Sequence, residues 1–220
     1  MPGSTDELLN RPLALVVALS IVGLLPFLFM TLTSFVKIST VLHIARSALG
    51  APEVPSSSVV VALAAALTLL AMAPVWSRIE DRVTPLLEPR PGQTTSVWVH
   101  DVVTAVREPL RDFLRDNASP REKARFSALA RKHGASAAPD DFGVIVPAFL
   151  VSELVSAFLL GFALFLPFLV VDLVVANVLV ALGLSALAPA QVALPLKLLL
   201  FVAADGWGLL AETLIGGYKS

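Results

Sequence analysis

The sequence contains no cysteine, and only 15% of it is Asp, Glu, Lys or Arg. Without cysteine there is no disulfide, no thiolate zinc or iron–sulfur site and no thiol nucleophile. Neither sign of charge dominates. The 16 Lys and Arg oppose 17 Asp and Glu, a formal net of −1, which excludes a strongly basic nucleic-acid binder. The polar composition of a disordered chain is missing too. The 220 residues are instead 56% hydrophobic, with a mean hydropathy of +0.82. A soluble domain runs nearer about 45–50% apolar and about 25% charged. The length permits one domain, or a membrane part with a small insert.

The few charges are unevenly placed. Of 33 in all, 21 fall within the 64 residues from Arg78 to Asp141. The chain therefore divides into an N-terminal apolar hairpin (1–77), a polar helical insert (78–141) and a C-terminal apolar hairpin (142–220). Uncharged runs cover 25 residues from Pro12 to Val36 and 24 from Val54 to Ser77. A further 18 lie between Glu153 and Asp172, and 24 between Asp172 and Lys197. A spanning helix needs about 20 predominantly apolar residues. The expected fold is all-α, with about four long apolar helices of membrane class and a small polar insert. Pro26 and Pro74 are expected to kink or end the first two helices, and Pro167 the third.

The leader Met1–Arg11 carries Asp6 and Glu7 ahead of one Arg. A cleaved signal peptide wants a positive start, so the first apolar run reads as retained. Lys37 and Arg46 against Glu53 lean that connection toward the cytoplasm, with the insert on the opposite face.

The insert opens with the turn-rich Leu86–Ser96. Val99, Val102, Val103, Val106, Leu110, Phe113 and Leu114 then recur at helical spacing, which predicts an amphipathic helix bent or restarted at Pro109. A second helix has Ser119 at its N-cap, Pro120 in its first turn, Glu122 completing a capping box and Gly134 as C-cap. The pair is expected to pack on itself. Arg121, Lys123, Arg125, Arg131 and Lys132, diluted by Glu122, read as a solvated face.

Chemistry-bearing patterns are scarce. His43, His100 and His133 have no second ligand at metal spacing. No nucleophile elbow, phosphate loop or dinucleotide fingerprint is present. No catalytic, cofactor or metal site is therefore expected. Four ionisable residues in apolar runs need an explanation: Glu153, Asp172, Lys197 and Asp205. A charge at mid-membrane costs at least about 2.5–3.5 kcal/mol, so such groups face a partner or a water path. Glu153, Ala157 and Gly161 share one helix face, and the last two form a small-x-x-x-small pattern suited to close backbone approach. Lys197, Phe201 and Asp205 have the same spacing on the last helix. We expect Glu153 to pair with Lys197, within or between subunits. For Asp172 and Asp205 a place at a helix end, in the interfacial zone, is the alternative. An ion or small-solute transporter with cation-binding carboxylates is a competing class, and a membrane lipid enzyme a third. No clear internal repeat supports the former and no constellation the latter.

The segment from Thr33 to Gly50, TSFVKISTVLHIARSALG, resembles the signature of the FliP/SctR family of type III secretion export-gate proteins. Met72-Ala-Pro-Val75, Phe149-Leu-Val-Ser-Glu-Leu154, Leu166-Pro-Phe-Leu-Val-Val-Asp172, Leu194-Pro-Leu-Lys-Leu-Leu-Leu-Phe201 and Asp205-Gly-Trp207 are similar to its further blocks. The insert is similar only at Glu108-Pro-Leu-Arg111. The resemblance implies helical hairpins rather than simple spans. It implies a homo-oligomer of five copies, joined by SctS/FliQ-like and SctT/FliR-like subunits and an SctU/FlhB-like switch protein. Unfolded secreted proteins would pass through the pore of that complex, in the bacterial inner membrane and largely on its periplasmic side. Lys37, Glu153, Ala157, Gly161, Lys197 and Asp205 would serve subunit packing or ion pairing, and the C-terminal hairpin would form the gate. Where family members carry a methionine-rich seal, this chain has Gly183-Leu-Ser-Ala-Leu-Ala-Pro189. Leu184 and Leu187, after Gly183, would then seal by apolar contact alone. Val54-Pro55-Ser56 replaces a common double proline. The short leader favours the injectisome branch over the flagellar one.

Overall fold

The computed structural model describes residues 12–51, 55–87, 94–134, 138–184 and 186–219, with the side chains of 12–15, 17, 18 and 21 excepted. The leader 1–11, Glu53, Val54 and most of the turn-rich loop lie outside the described residues. Among the described residues there are nine α-helices, one short 3-10 turn and no strand. They are α1 Pro12–Leu32, α2 Phe35–Leu49, α3 Ser57–Ala71, α4 Ala73–Val83, α5 Thr95–Asn117, α6 Pro120–Lys132, α7 Phe142–Ala181, α8 Pro189–Ala203 and α9 Gly206–Gly216.

The apolar runs do not become four simple rods. The first breaks at Thr33-Ser34, where the chain turns by 70° from α1 into α2. Thr33 causes this locally. Its hydroxyl donates back to the Phe29 carbonyl and also accepts the Phe35 N–H at 3.4 Å, closing one helix and opening the next. The second run breaks at Met72 with a 57° bend into α4. Pro74 lies in the first turn of α4, where its missing N–H is harmless but could not have continued α3. The last run bends by 58° between α8 and α9. Asp205 takes a left-handed conformation there, φ 49° and ψ 49°. Pro26 and Pro167 end nothing, because α1 and α7 run through them, and α5 runs through Pro109.

The two expected C-terminal spans are replaced by one helix of 40 residues, α7, and the broken pair α8–α9. Among the described residues α7 is the one helix that can cross a membrane by length and composition, with up to four spans if each bent pair counts as one. At about 1.5 Å per residue the 40 residues of α7 reach about 60 Å, against a hydrocarbon core of about 30 Å.

α7 organises the core. α2 lies along its middle in the most extensive helix contact of the chain, and α3 packs on α2. Ile38, Val41, Leu42 and Ala45 of α2 bury against Val60 and Ala64 of α3, Ala157 of α7 and Leu214 of α9. A second cluster joins Met72 and Val75 to Phe113 and Leu114 of α5 and Ile145 and Phe149 of α7. The polar helices therefore do not pack chiefly on each other, as the amphipathic pattern suggested. α6 lies on α7, and α5 on α4 and α7. The apolar N-terminal end of α7 was a larger surface than either polar helix offered the other. The Ser119 cap forms as expected, its hydroxyl accepting the Glu122 N–H at 3.2 Å. The box is not reciprocal, because the Ser119 N–H donates to Ser152 of α7 at 2.9 Å.

Candidate functional site

Three charged side chains sit at 6% exposure or less within apolar helices: Lys37, Glu153 and Lys197. Glu153 does not meet Lys197 within the chain. Its Oε1 lies 3.5 Å from Nζ of Lys37, which α2 presents where it crosses α7. Its Oε2 accepts a short hydrogen bond from the hydroxyl of Tyr218, in the segment that follows α9. The Lys37 ammonium stands 3.6 Å above the centroid of the Tyr218 ring, and the Ser34 carbonyl lies 3.3 Å from the phenol oxygen. One carboxylate, one ammonium and one phenol from three distant parts of the chain thus satisfy one another away from water. Each member depends on the others, because removing one partner of a buried ion pair costs about 3–5 kcal/mol. Burial, with the Glu153 carboxylate beside it, pushes the Tyr218 phenol far above its usual value, so it stays a proton donor.

Two readings change with this geometry. Lys37 reads from the sequence as a loop charge that sets membrane orientation as well as a packing or ion-pairing residue; it is a buried residue of α2 and carries no orientation signal. Tyr218 was not singled out at all. The available signal was its being the chain's single tyrosine, an apolar ring with a polar tip directly after two glycines.

Lys197 has its own partners. Its Nζ lies 2.6 Å from Oδ2 of Asp172 and donates to the Ala48 carbonyl at 3.3 Å. The cation thereby also caps the C-terminal end of α2, next to Gly50 in its left-handed conformation at φ 77°. Asp172 is not at a helix end but well inside α7. Asp205 is exposed in the α8–α9 break, its carboxylate folded over Gly208. Among the described residues it forms no ion pair with the other charges. The carboxylates that a cation transporter would need are thus engaged: Glu153 by Lys37 and Tyr218, Asp172 by Lys197. Among the described residues no group of three or more His, Asp or Glu gathers to hold a metal.

The small residues of α7 are used within the chain. Ala157 is fully buried against α2, and a Cβ on Gly161 would fall 2.5 Å from Cδ1 and 2.9 Å from Cγ2 of Ile44. The close approach expected between subunits is therefore the α2–α7 contact of one subunit.

Gly183 ends α7 with a left-handed turn at φ 72°. Its N–H bonds to the Val180 carbonyl and the Leu184 N–H reaches Leu179, the two bonds of a Schellman motif. This turn carries Leu184 and Leu187 to the tip of the α7–α8 hairpin, where they are 44% and 47% exposed. Ser185 between them lies outside the described residues. The tip continues an apolar surface on α7 that includes Phe158, Leu159, Phe162, Leu169 and Leu173, each at least half exposed.

The sequence matches a profile of the FliP family over residues 18–214. It is 41% identical over 211 residues to the Hypersensitivity response secretion protein HrcR of Ralstonia nicotianae, covering 94% of this chain and 97% of that protein. It is 39% identical over 212 residues to the Probable translocation protein y4yL of Sinorhizobium fredii, 94% of each. The Flagellar biosynthetic protein FliP of Caulobacter vibrioides is 36% identical over 219 residues, 99% of this chain and 80% of that one.

Proposed function

The chain belongs to the FliP family and is a membrane component of a type III secretion or flagellar export apparatus, and from that premise we propose that it is a pore-forming export-gate subunit of an injectisome. It catalyses no reaction. Several copies, five by family resemblance, assemble with SctS/FliQ-like and SctT/FliR-like subunits and an SctU/FlhB-like switch protein. Unfolded secreted proteins pass between them. The complex sits in the inner membrane, with its bulk on the periplasmic side, and Leu184 and Leu187 narrow the resting conduit.

One observation carries this reading. The subunit buries Lys37, Glu153 and Lys197 inside itself and leaves a long apolar flank on α7 and α8 uncovered, with Leu159 67% and Leu199 67% exposed. Only about half of the 40 residues of α7 fit a hydrocarbon core of about 30 Å, so lipid cannot cover the whole flank, and the remainder is a surface for neighbouring helices. The polar insert cannot cover it, because α5 and α6 already occupy the N-terminal end of α7. The injectisome assignment is supported by the 41% identity to the HrcR protein over 97% of its length.

The test is co-expression with the neighbouring genes, followed by detergent extraction and electron microscopy. The expected particle holds several copies around a central channel. A chain that purifies alone and joins none of its neighbours overturns the reading. In a deletion strain the gene is expected to restore effector secretion and not swimming; the reverse result overturns the injectisome assignment.

A further inference from the structure

The segment after α9 is held by more than its length requires. Lys219 donates its N–H to Oδ1 of Asn117 at 3.0 Å and accepts from Nδ2 at 3.3 Å, a two-point clamp by one amide side chain of α5. The ring of Tyr218 lies 5.8 Å from that of Phe113, also on α5, and its hydroxyl reaches Glu153 on α7. Beneath it is a cavity of about 190 Å³, lined in part by Leu70, Ala71, Pro74, Val75 and Phe113. Gly216 and Gly217 precede Tyr218, and a Cβ on Gly216 would meet nothing. Two glycines give the backbone a swivel at this point.

We propose that Gly217–Lys219 is a strap, hinged at Gly216-Gly217, that ties the α9 arm to the polar insert and whose lifting opens the buried Lys37–Glu153 pair to water. The strap is the only part of the triad outside a helix, and side-chain groups tie it to the other helices. Two bonds of the phenol, to Glu153 and to the Ser34 carbonyl, the ring's contacts with Phe113 and the Lys37 ammonium, and one amide clamp hold it, whereas Lys37 and Glu153 are fixed by the packed α2–α7 contact. Local opening follows the path of fewest buried contacts. When the strap lifts, Glu153 loses its donor and Lys37 loses the ring above it. The charge pair then becomes available to solvent or to another chain while the helices stay packed. The strap also joins α9, at the end of the α8–α9 arm, to α5, so its state reports on the polar insert to the hairpin whose tip holds Leu184 and Leu187.

The chain has no cysteine, so one introduced thiol reads the motion. Val75→Cys places it on the cavity wall, at a position only 1% exposed. In the detergent-solubilised full chain, maleimide labelling of this thiol is expected to be slow. Tyr218→Ala is expected to speed it by about tenfold or more, the scale of a lost hydrogen bond to a charged group. Asn117→Ala speeds it by a smaller factor, and Tyr218→Phe falls between because it keeps the ring. Helix content stays unchanged, and a thiol at Ala193→Cys, buried between α7 and α8 in a cluster that Tyr218 does not touch, stays slow in every background. If Tyr218→Ala unfolds the chain, Asn117→Ala decides the matter. Unchanged labelling of Val75→Cys in the folded variants overturns the strap. Equal acceleration at Ala193→Cys also overturns it, since the whole fold would then be loosening.

Discussion

Lys197 and Asp172 close an ion pair of 2.6 Å across the α7–α8 hairpin, and the same ammonium reaches the Ala48 carbonyl at the end of α2. A single cation thus fixes the hairpin to the helix that lines its base. The two partners are unequally buried, Lys197 at 8% and Asp172 at 37% side-chain exposure. Asp172→Asn leaves a buried ammonium with neutral acceptors only and is expected to cost about 2–4 kcal/mol, whereas Lys197→Met leaves a carboxylate that water reaches and costs less. Thermal unfolding in detergent measures both. The opposite order would show that burial is not what distinguishes them.

Charge reversal at Glu153 is a sharper case. Glu153→Lys places two ammonium groups together at the α2–α7 crossing and is expected to abolish the folded subunit. Lys37→Glu in the same chain is expected to restore part of the folded yield, since it rebuilds the pair in the opposite sense. Lys197→Glu is expected to restore none. Rescue by Lys197→Glu instead would mean that the two helices meet differently.

Gly161→Ala drives a methyl into Ile44, whose Cγ2 and Cβ as well as its flexible Cδ1 are in the way. The expected loss is about 1–3 kcal/mol, the usual scale of overpacking. Ile44→Ala in the same molecule removes the obstacle and is expected to recover most of it. A double-mutant cycle on unfolding midpoints gives the answer, and additive losses would deny the contact.

Leu184→Gly with Leu187→Gly is expected to leave the unfolding of the isolated subunit almost unchanged, because neither side chain is buried. In the assembled apparatus the same pair is expected to raise the resting ion conductance, since dewetting of the constriction needs apolar walls. Resting currents equal to wild type would remove these leucines from the seal.

The Tyr218 phenol offers a pH test. Its folded pKa is raised above the ordinary value of about 10, so its contribution to stability is complete below about pH 10 and fades as pH rises toward the folded value. As the chain's single tyrosine it titrates alone. Phenolate absorbance is therefore expected to be absent just above pH 10 in the folded protein and present after unfolding. A normal titration in the folded chain would place the ring in water.

Much of this architecture is legible before any coordinates. Long uncharged runs foretell the apolar helices, and Ser119-Pro-Arg-Glu122 marks the start of α6. The breaks are less legible, because a helix bend leaves composition unchanged. Pro74 betrays the one at Met72, but Thr33-Ser34 bends α1 into α2 inside an uninterrupted apolar run. Pro26 and Pro167, conversely, look like stops and are absorbed, since neighbouring turns keep the helix going when one hydrogen bond is lost. Pairing is the least legible level. Glu153 and Lys197 had matching spacing on their own helices, yet Lys37 lies 116 positions from Glu153 and wins because α2 crosses α7 there. Helical spacing says which face a residue is on and not which helix arrives at that face.

The 40 residues of α7 extend about 60 Å, roughly twice the depth of the oily layer. A copy made without companions must therefore hold greasy flank in water whichever way it inserts. Such orphans are expected to be cleared, so that the amount of this chain that survives follows how much of its company is made.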